Sequence, residues 1–441
     1  MIATGRPRED VKGLALKLVG MLLALGALHN AGAPSAESNS LAGEKLFRDV
    51  ETYYNFGDHR TATEADLKTG EWLRGRLRAA GLQAEFFNWT LDHFFLDRCA
   101  LTVDGKQIES FPLWQPKATA VSGVSAPLTA FAPAINDAAL KGRIVLFGSE
   151  FFGSQPPWRI EWLERAARAG AVGAILIPAR GNRLAAQNAR PAYAEKRLPL
   201  PALIVAGADE AALKAAAEKH SAAELLITGR YEANAKARNV TARLNRGRKL
   251  IVVSTPISGW FGCASERGTG VALWLALAEW AAARKSETSF LFIGNSGHEL
   301  DNLGADKFLQ SPRAPKPADV TLWIHLGAGI ASREWERAGA GWKPATGFRP
   351  GLLGTKEQFI PLLKESFTGL PYTPNPARIL GELKEVMDAG YPAFGLIAGT
   401  VFGHTRGDKP DSTGPELLEP IAKALVKTIE AVEAAGGSLQ R

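Results

Sequence analysis

Lys249-Leu250-Ile251-Val252-Val253 opens the stretch that decides the fold, which extends to Gln310. An unbroken apolar run of this kind suits a strand buried on both faces of a sheet. A glycine-punctuated loop follows, Ser258-Gly259-Trp260-Phe261-Gly262-Cys263, leading through Glu266 and Arg267 to Gly270. Apolar residues then recur at helical spacing at Trp274, Leu275, Leu277 and Trp280. A second buried strand, Phe290-Leu291-Phe292-Ile293, delivers Gly294-Asn295-Ser296-Gly297-His298-Glu299-Leu300. The pattern predicts strand, loop, helix, strand, loop, helix. Loops after the carboxyl ends of adjacent parallel strands are where open α/β sheets place their ligands.

Downstream, strands are predicted at 320–326 and 392–398, with helices near 356–367, 377–387 and 416–435. This alternation predicts an α/β fold: a doubly wound, mostly parallel sheet with helices on both faces. Upstream, helical spacing runs through Leu46, Val50, Tyr53, Leu67, Trp72, Leu73 and Leu77, interrupted by a loop carrying His59-Arg60. A strand is expected at 84–89. Between about 98 and 230 the texture changes to short β-like runs rich in proline, with one helix near 158–169. The expected organisation is therefore a main domain built from 41–97 and 233–441, with a β-rich insertion at 98–232.

The chain of 441 residues carries a formal charge of +7, with Lys and Arg scattered and without a basic run. That argues against nucleic-acid binding. Cys99 and Cys263 are either one disulfide or two buried thiols, and are too few for a thiolate metal site. At the N-terminus, Arg6, Arg8, Lys12 and Lys17 precede an apolar run from Leu18 to Leu28, and Ala31-Gly32-Ala33 follows. These are the three parts of a secretory signal, here residues 1–33, and the protein is expected to be exported, periplasmic or secreted. The apolar run falls short of the roughly 20 residues a spanning helix needs, so no stable membrane span is expected after cleavage.

Predicted strand ends carry polar payloads: Ser258 and Glu266, then His298 and Glu299, then His325 in Leu322-Trp323-Ile324-His325-Leu326, and finally His404 in Gly403-His404-Thr405-Arg406-Gly407-Asp408. Of seven histidines, three fall at the ends of successive predicted strands. With two glutamates among them they point to a site. Trp260 and Phe261 are candidates for an apolar substrate wall. Arg267 stands at a helix start, where the dipole disfavours a cation, so an anionic substrate group or a salt bridge to Glu266 or Glu299 is expected.

This ordering resembles the zinc aminopeptidases of metallopeptidase family 28. The match is carried by Phe290 to Ile293 leading into Gly297-His298-Glu299-Leu300 and Leu303-Gly304, by Gly403-His404-Thr405 with Asp408, and by Glu266-Arg267-Gly268-Thr269-Gly270. The insertion resembles the protease-associated domain through Leu140 to Phe147, Ala169 to Ala174 and Leu200 to Val205. The resemblance implies a zinc exopeptidase fold, three-layer α/β/α, acting on peptides. It also locates the departures. Pro256-Ile257-Ser258 stands where the family has His-x-Asp, Glu266 where it has a bridging aspartate, and His298 where it has the general base. Leu326, with His325 beside it, stands where a further aspartate is expected.

Three readings follow. One is a hydrolase with a single zinc held by Glu266, His325 and His404, or with Glu299 among the ligands, and with His298 or Glu299 as base. The His298-Glu299 pair begins like a His-Glu-x-x-His zinc helix, but the fifth residue is Asn302. The second is a metal-free Ser258–His298–glutamate hydrolase. The third is a non-catalytic descendant that binds peptides or glycans. The expected partner is a peptide or small amide, and the expected cofactor one zinc ion or none.

Overall fold

The computed structural model describes Met1 and residues 40–152, 160–178, 182–339 and 341–435. The secretory-signal segment lies outside the described residues. The N-terminal helices α1 (Gly43–Asn55) and α2 (Glu64–Ala79) precede strand β1 (Gln83–Val103). A lobe of shorter elements follows: β2 (Lys106–Ile108), β3 (Ser110–Pro112), β4 (Val124–Ala130), β5 (Ile144–Phe147), helix α3 (Ile160–Arg168), β6 (Gly173–Leu176), β7 (Ala202–Val205) and α4 (Glu210–Glu218). Strand β8 (Ala222–Leu244) returns to the main body. There β9 (Leu250–Pro256), α5 (Thr269–Ala283), β10 (Ser289–Asn295), α6 (Leu303–Leu309) and β11 (Leu322–Leu326) realise the alternation expected from the sequence. The chain continues through β12 (Arg333–Ala338), β13 (Gly341–Phe348), β14 (Gly351–Thr355), α7 (Ile360–Ser366), β15 (Tyr372–Asn375), α8 (Glu382–Asp388), β16 (Ala393–Ala398) and α9 (Pro415–Ala434).

The order along the large sheet is β15-β14-β16-β11-β9-β10-β8-β4-β5-β6-β7-β3. Strands β16, β11, β9 and β10 pair in parallel. Every residue of β10 and β11 is buried, which explains why their sequences are apolar apart from Ser289, Asn295 and His325. Helix α5 packs between the sheet and α1 and α9, so Val271, Leu273, Trp274, Leu275, Leu277 and Trp280 are buried all round it.

The sequence predicted a six-residue strand at 84–89. Instead β1 pairs antiparallel with β8 along nearly its whole length, with register shifts at Leu91/His93 and Leu96/Arg98. The expected domain boundaries at 97/98 and 232/233 therefore fall inside two continuous strands. The β12–β13 hairpin, a separate two-stranded sheet, had no sequence forecast. Cys99 and Cys263 are both free thiols, so the disulfide alternative is replaced by the thiol one. Cys263 is buried against the Tyr53 hydroxyl at 3.4 Å, and the Cys99 thiol donates to the Ser110 carbonyl. No helix among the described residues is long and apolar enough to cross a membrane.

Candidate active site

The carboxyl ends of β9, β10, β11 and β16 open into a cleft of ≈ 450 Å³. Its floor holds Glu266, Arg267, His298, His325 and His404. Those five residues, drawn from four separate segments of the sequence, converge there. The lobe between β1 and β8 contributes Gln187, Asn188 and Arg190 to one wall, and residues 378–385 form the opposite rim.

Glu266 and Arg267 are set by a single π turn over Ala264–Gly268, in which the Gly268 N–H reaches the Cys263 carbonyl. Asp408 caps this turn from a distant loop. Its Oδ1 accepts from the Ser265 N–H at 2.9 Å and hydroxyl at 2.7 Å, and its Oδ2 from the Glu266 N–H at 3.0 Å. A carboxylate is well placed at the positive end of the α5 dipole, although burial pushes the Asp408 carboxyl up to about 6. His404, at φ 61, turns its own N–H onto Glu266 Oε2 at 3.1 Å and its ring Nε2 onto Oε1 at 3.0 Å. Arg267 Nη2 lies 2.9 Å from the same Oε1. Burial alone would raise the Glu266 carboxyl, but the His404 and Arg267 charges override it and hold the group well below the usual carboxylate range.

His298 lies on the first turn after β10, where Gly297 adopts φ 93. Its Nδ1 is 3.3 Å from Glu382 Oε1, at the start of α8. Asn295 Nδ2 donates to Glu382 Oε2 at 2.9 Å, and Asn239 Nδ2 donates to Asn295 Oδ1 at 3.0 Å, which fixes the carboxylate from behind. With Nδ1–H directed at Glu382, the Nε2 lone pair is free toward the cleft. Burial, reinforced by the Arg267 charge, holds the His298 imidazole well below its ordinary value. His325 is set differently. Trp323 Nε1 donates to Ser254 Oγ at 2.7 Å, and that hydroxyl sits 3.0 Å from His325 Nδ1. A buried hydroxyl hydrogen needs an acceptor, so Ser254 donates to Nδ1 and the His325 proton resides on Nε2. Burial lowers this ring to about 4, so it stays neutral. One neutral histidine thus offers a lone pair and the other an N–H.

Glu299 and Ser258 lie beneath the floor, not in it. Both are fully buried and neither lines the cleft. Ser258 Oγ donates to Glu299 Oε2 at 2.8 Å and accepts the Gly297 N–H at 2.8 Å. The other Glu299 oxygen accepts the Thr61 N–H. Ser258 therefore has its hydroxyl hydrogen committed, and among the described residues no hydrogen bond joins it to the His298 ring. The Ser–His–Glu arrangement expected from the sequence is not assembled, because consecutive residues His298 and Glu299 point to opposite sides of the turn. Trp260 and Phe261 are likewise buried away from the cleft. Both pack edge-on against Phe111, and Trp260 Nε1 donates to Asn188.

The residues present do not fit a zinc ion. A catalytic zinc takes three protein ligands. Glu266 Oε1 already faces two donors, and both His404 nitrogens face acceptors, since Nδ1 lies 2.9 Å from the Ala186 carbonyl. The Arg267 guanidinium puts a fixed cation 2.9 Å from Glu266 Oε1, one of the expected ligand atoms. No group of three or more His, Cys, Asp or Glu side chains among the described residues is arranged to hold a metal ion. The sequence expectation of Glu266, His325, His404 and Glu299 as ligands thus meets a geometry in which Glu299 is below the floor and His325 is bonded to Ser254.

Sequence reasoning missed Glu382, Asn295, Arg190 and Arg378. Glu382 is a buried acid that the sequence places inside the helix expected near 377–387, where a glutamate is ordinary, so nothing marked it. Asp408 was noticed only as part of a motif.

No family model matches the chain. No curated protein matches it. Solved structures do share its fold. BSAP, a zinc aminopeptidase from Bacillus subtilis, superposes with a TM-score of 0.70 at 15% identity, over 89% of this chain and 95% of that one. An aminopeptidase from Aneurinibacillus sp. strain AM-1 gives 0.66 at 15% identity, over 91% and 96%. A peptidase M28 precursor from Shewanella amazonensis gives 0.66 at 16% identity, over 91% and 97%. The chain therefore has the zinc aminopeptidase fold, and identity this low carries the fold alone.

Proposed function

We propose that the protein hydrolyses a peptide or related amide bond in this cleft and does so without a bound metal. The observation that carries the proposal is the His298–Glu382 pair, which opens a proton acceptor onto a cleft where Arg267 is paired with Glu266. The shared fold with zinc aminopeptidases supports peptide-like substrates. In this scheme Glu382 orients the His298 ring, and His298 Nε2 takes a proton from water as the water oxygen bonds to the amide carbon. The neutral His325 Nε2–H faces the negative charge that develops on the carbonyl oxygen. Collapse breaks the C–N bond, and the proton held by His298 passes to the departing amine. We also propose export, on the basic, apolar and small-residue order of residues 1–33.

The test is hydrolysis of a panel of aminoacyl, peptidyl and acyl-amide substrates by purified protein, with and without chelator, alongside elemental analysis. Activity is expected to survive chelation, and His298→Ala to lower kcat by about 10²–10⁴-fold. Because the His298 ring is held well below 6.5, the acid limb of the pH–rate profile should also lie below 6.5. Stoichiometric zinc with chelator-sensitive turnover would sink the metal-free scheme. Ligand binding without turnover across the panel would leave a peptide-binding protein.

A further inference from the structure

The cleft carries more cationic donors than its own carboxylates satisfy. Arg267 is 2% exposed, and only its Nη2 has an acceptor; Nε and Nη1 meet none. A buried guanidinium with two open donors is costly unless an acceptor reaches it. The fold makes room for it: a Cβ at Gly259 would lie 3.0 Å from Arg267 Cγ and 3.0 Å from Cys263 Sγ. Two further guanidinium groups, Arg190 and Arg378, line the same cleft and make no ion pair among the described residues. Lys384 lines it too, paired with Asp388. The opposing acids on the lining are Glu266, held by Arg267 and His404, together with Asp301 and Glu385 on the rim.

We infer that the cleft is built for a carboxylate-bearing ligand, with Arg267 as the anchoring cation and Arg190 and Arg378 as flanking ones. This rests on the hydrolase reading above for what is done to the ligand, and makes its substrates amides that carry a carboxylate close to the scissile bond. Planar guanidinium groups match carboxylates in geometry and remain charged at every working pH. Arg267 and His298 share the cleft floor, so a carboxylate on the arginine brings the neighbouring amide toward the histidine.

Binding is measured by titration calorimetry at low salt with three probes: N-acetyl-alanyl-alanine, its carboxamide, and N-acetyl-aspartyl-alanine carboxamide. In the wild-type protein a carboxylate-bearing probe is expected to bind about tenfold or more tighter than the uncharged carboxamide. Preference for the first probe assigns the carboxylate to the chain end; equal or greater affinity for the aspartyl probe assigns it to a side chain. Arg267→Gln should reduce the preference to within about twofold, and Arg378→Gln, an exposed rim change that leaves the floor intact, should reduce it about two- to fivefold. Equal binding of charged and uncharged probes, no binding of any probe at millimolar concentration, or a preference unchanged in both variants would overturn the inference. Preference without turnover would overturn only the hydrolase reading, and turnover without preference only this one.

Discussion

Two neighbouring groups of polar side chains hang from the same strand ends and are built on opposite principles. On the cleft floor, Arg267 keeps two donors without acceptors, and the His298 and His325 rings each keep one nitrogen toward the cleft. Just beneath, Ser258, Glu299, Thr61, Ser296 and Asp66 form a knot that ties the α1–α2 loop to the turn after β10. Apart from Asp66 Oδ1, which meets no donor, the knot's hydroxyls and carboxylates are turned on each other and on backbone N–H groups, so it fixes geometry. The floor leaves capacity unused, so it can receive a ligand. Titratable residues close together in sequence are therefore poor guides to function until the direction of each side chain is known.

Substitutions on the two sides should separate the roles, and the largest effect belongs to the floor. His298→Ala should abolish most turnover while its Tm stays near that of the wild type, since the ring borders the cleft. In the knot the expected pattern reverses. Glu299→Ala strips acceptors from the Ser258 hydroxyl and the Thr61 N–H and should cost about 2–4 kcal/mol of stability in denaturant unfolding. A loss of activity at unchanged stability would show instead that Glu299 serves the chemistry.

Asp66 sharpens the contrast through pH. Burial pushes its carboxyl up to about 7 from 3.8, although Ala62 N–H and the Ser296 hydroxyl donate to it. The folded state thus holds this proton where the unfolded chain has released it. The stability attached to Asp66 should fall as pH rises from about 4 to about 7 and stay low above that. Asp66→Asn keeps the shape and removes the charge. It should stabilise the protein on the order of 3 kcal/mol at pH 8 and hardly at all at pH 4, read as Tm against pH. An identical Tm difference at both pH values would contradict the assignment. The smallest effect is expected of Ser258→Ala, about 1–2 kcal/mol of stability with kcat/KM within about twofold of wild type. A drop of several orders of magnitude would restore Ser258 as a nucleophile.

Much of the fold was legible in the chain. Strands β9, β10, β11 and β16 are predominantly apolar because both faces are covered, and helix α5, apart from Glu279, is apolar nearly all round because it lies between the sheet and α1 and α9. Strands β1 and β8 were harder to read. Their pairing spans nearly the full length of both, and bulges at Leu91/His93 and Leu96/Arg98 break the alternation that would announce them. Five of the nine named site residues reach the cleft, namely Glu266, Arg267, His298, His325 and His404, while Ser258, Trp260, Phe261 and Glu299 do not.

The amino-acid order alone determined that chemically capable residues would collect at the carboxyl ends of parallel strands, because periodicity sets strand direction and strand direction sets where loops emerge. Which atoms face one another was decided only in three dimensions. The π turn before α5, the left-handed backbone at Gly297 and His404, and the arrival of Glu382 and Asp408 from distant segments choose each partner. Those choices depend on non-local packing that no local pattern encodes. The side chain of Arg267 is the clearest case: a cation at the start of a helix in the sequence, it becomes the fixed charge at the centre of the cleft once the chain is folded.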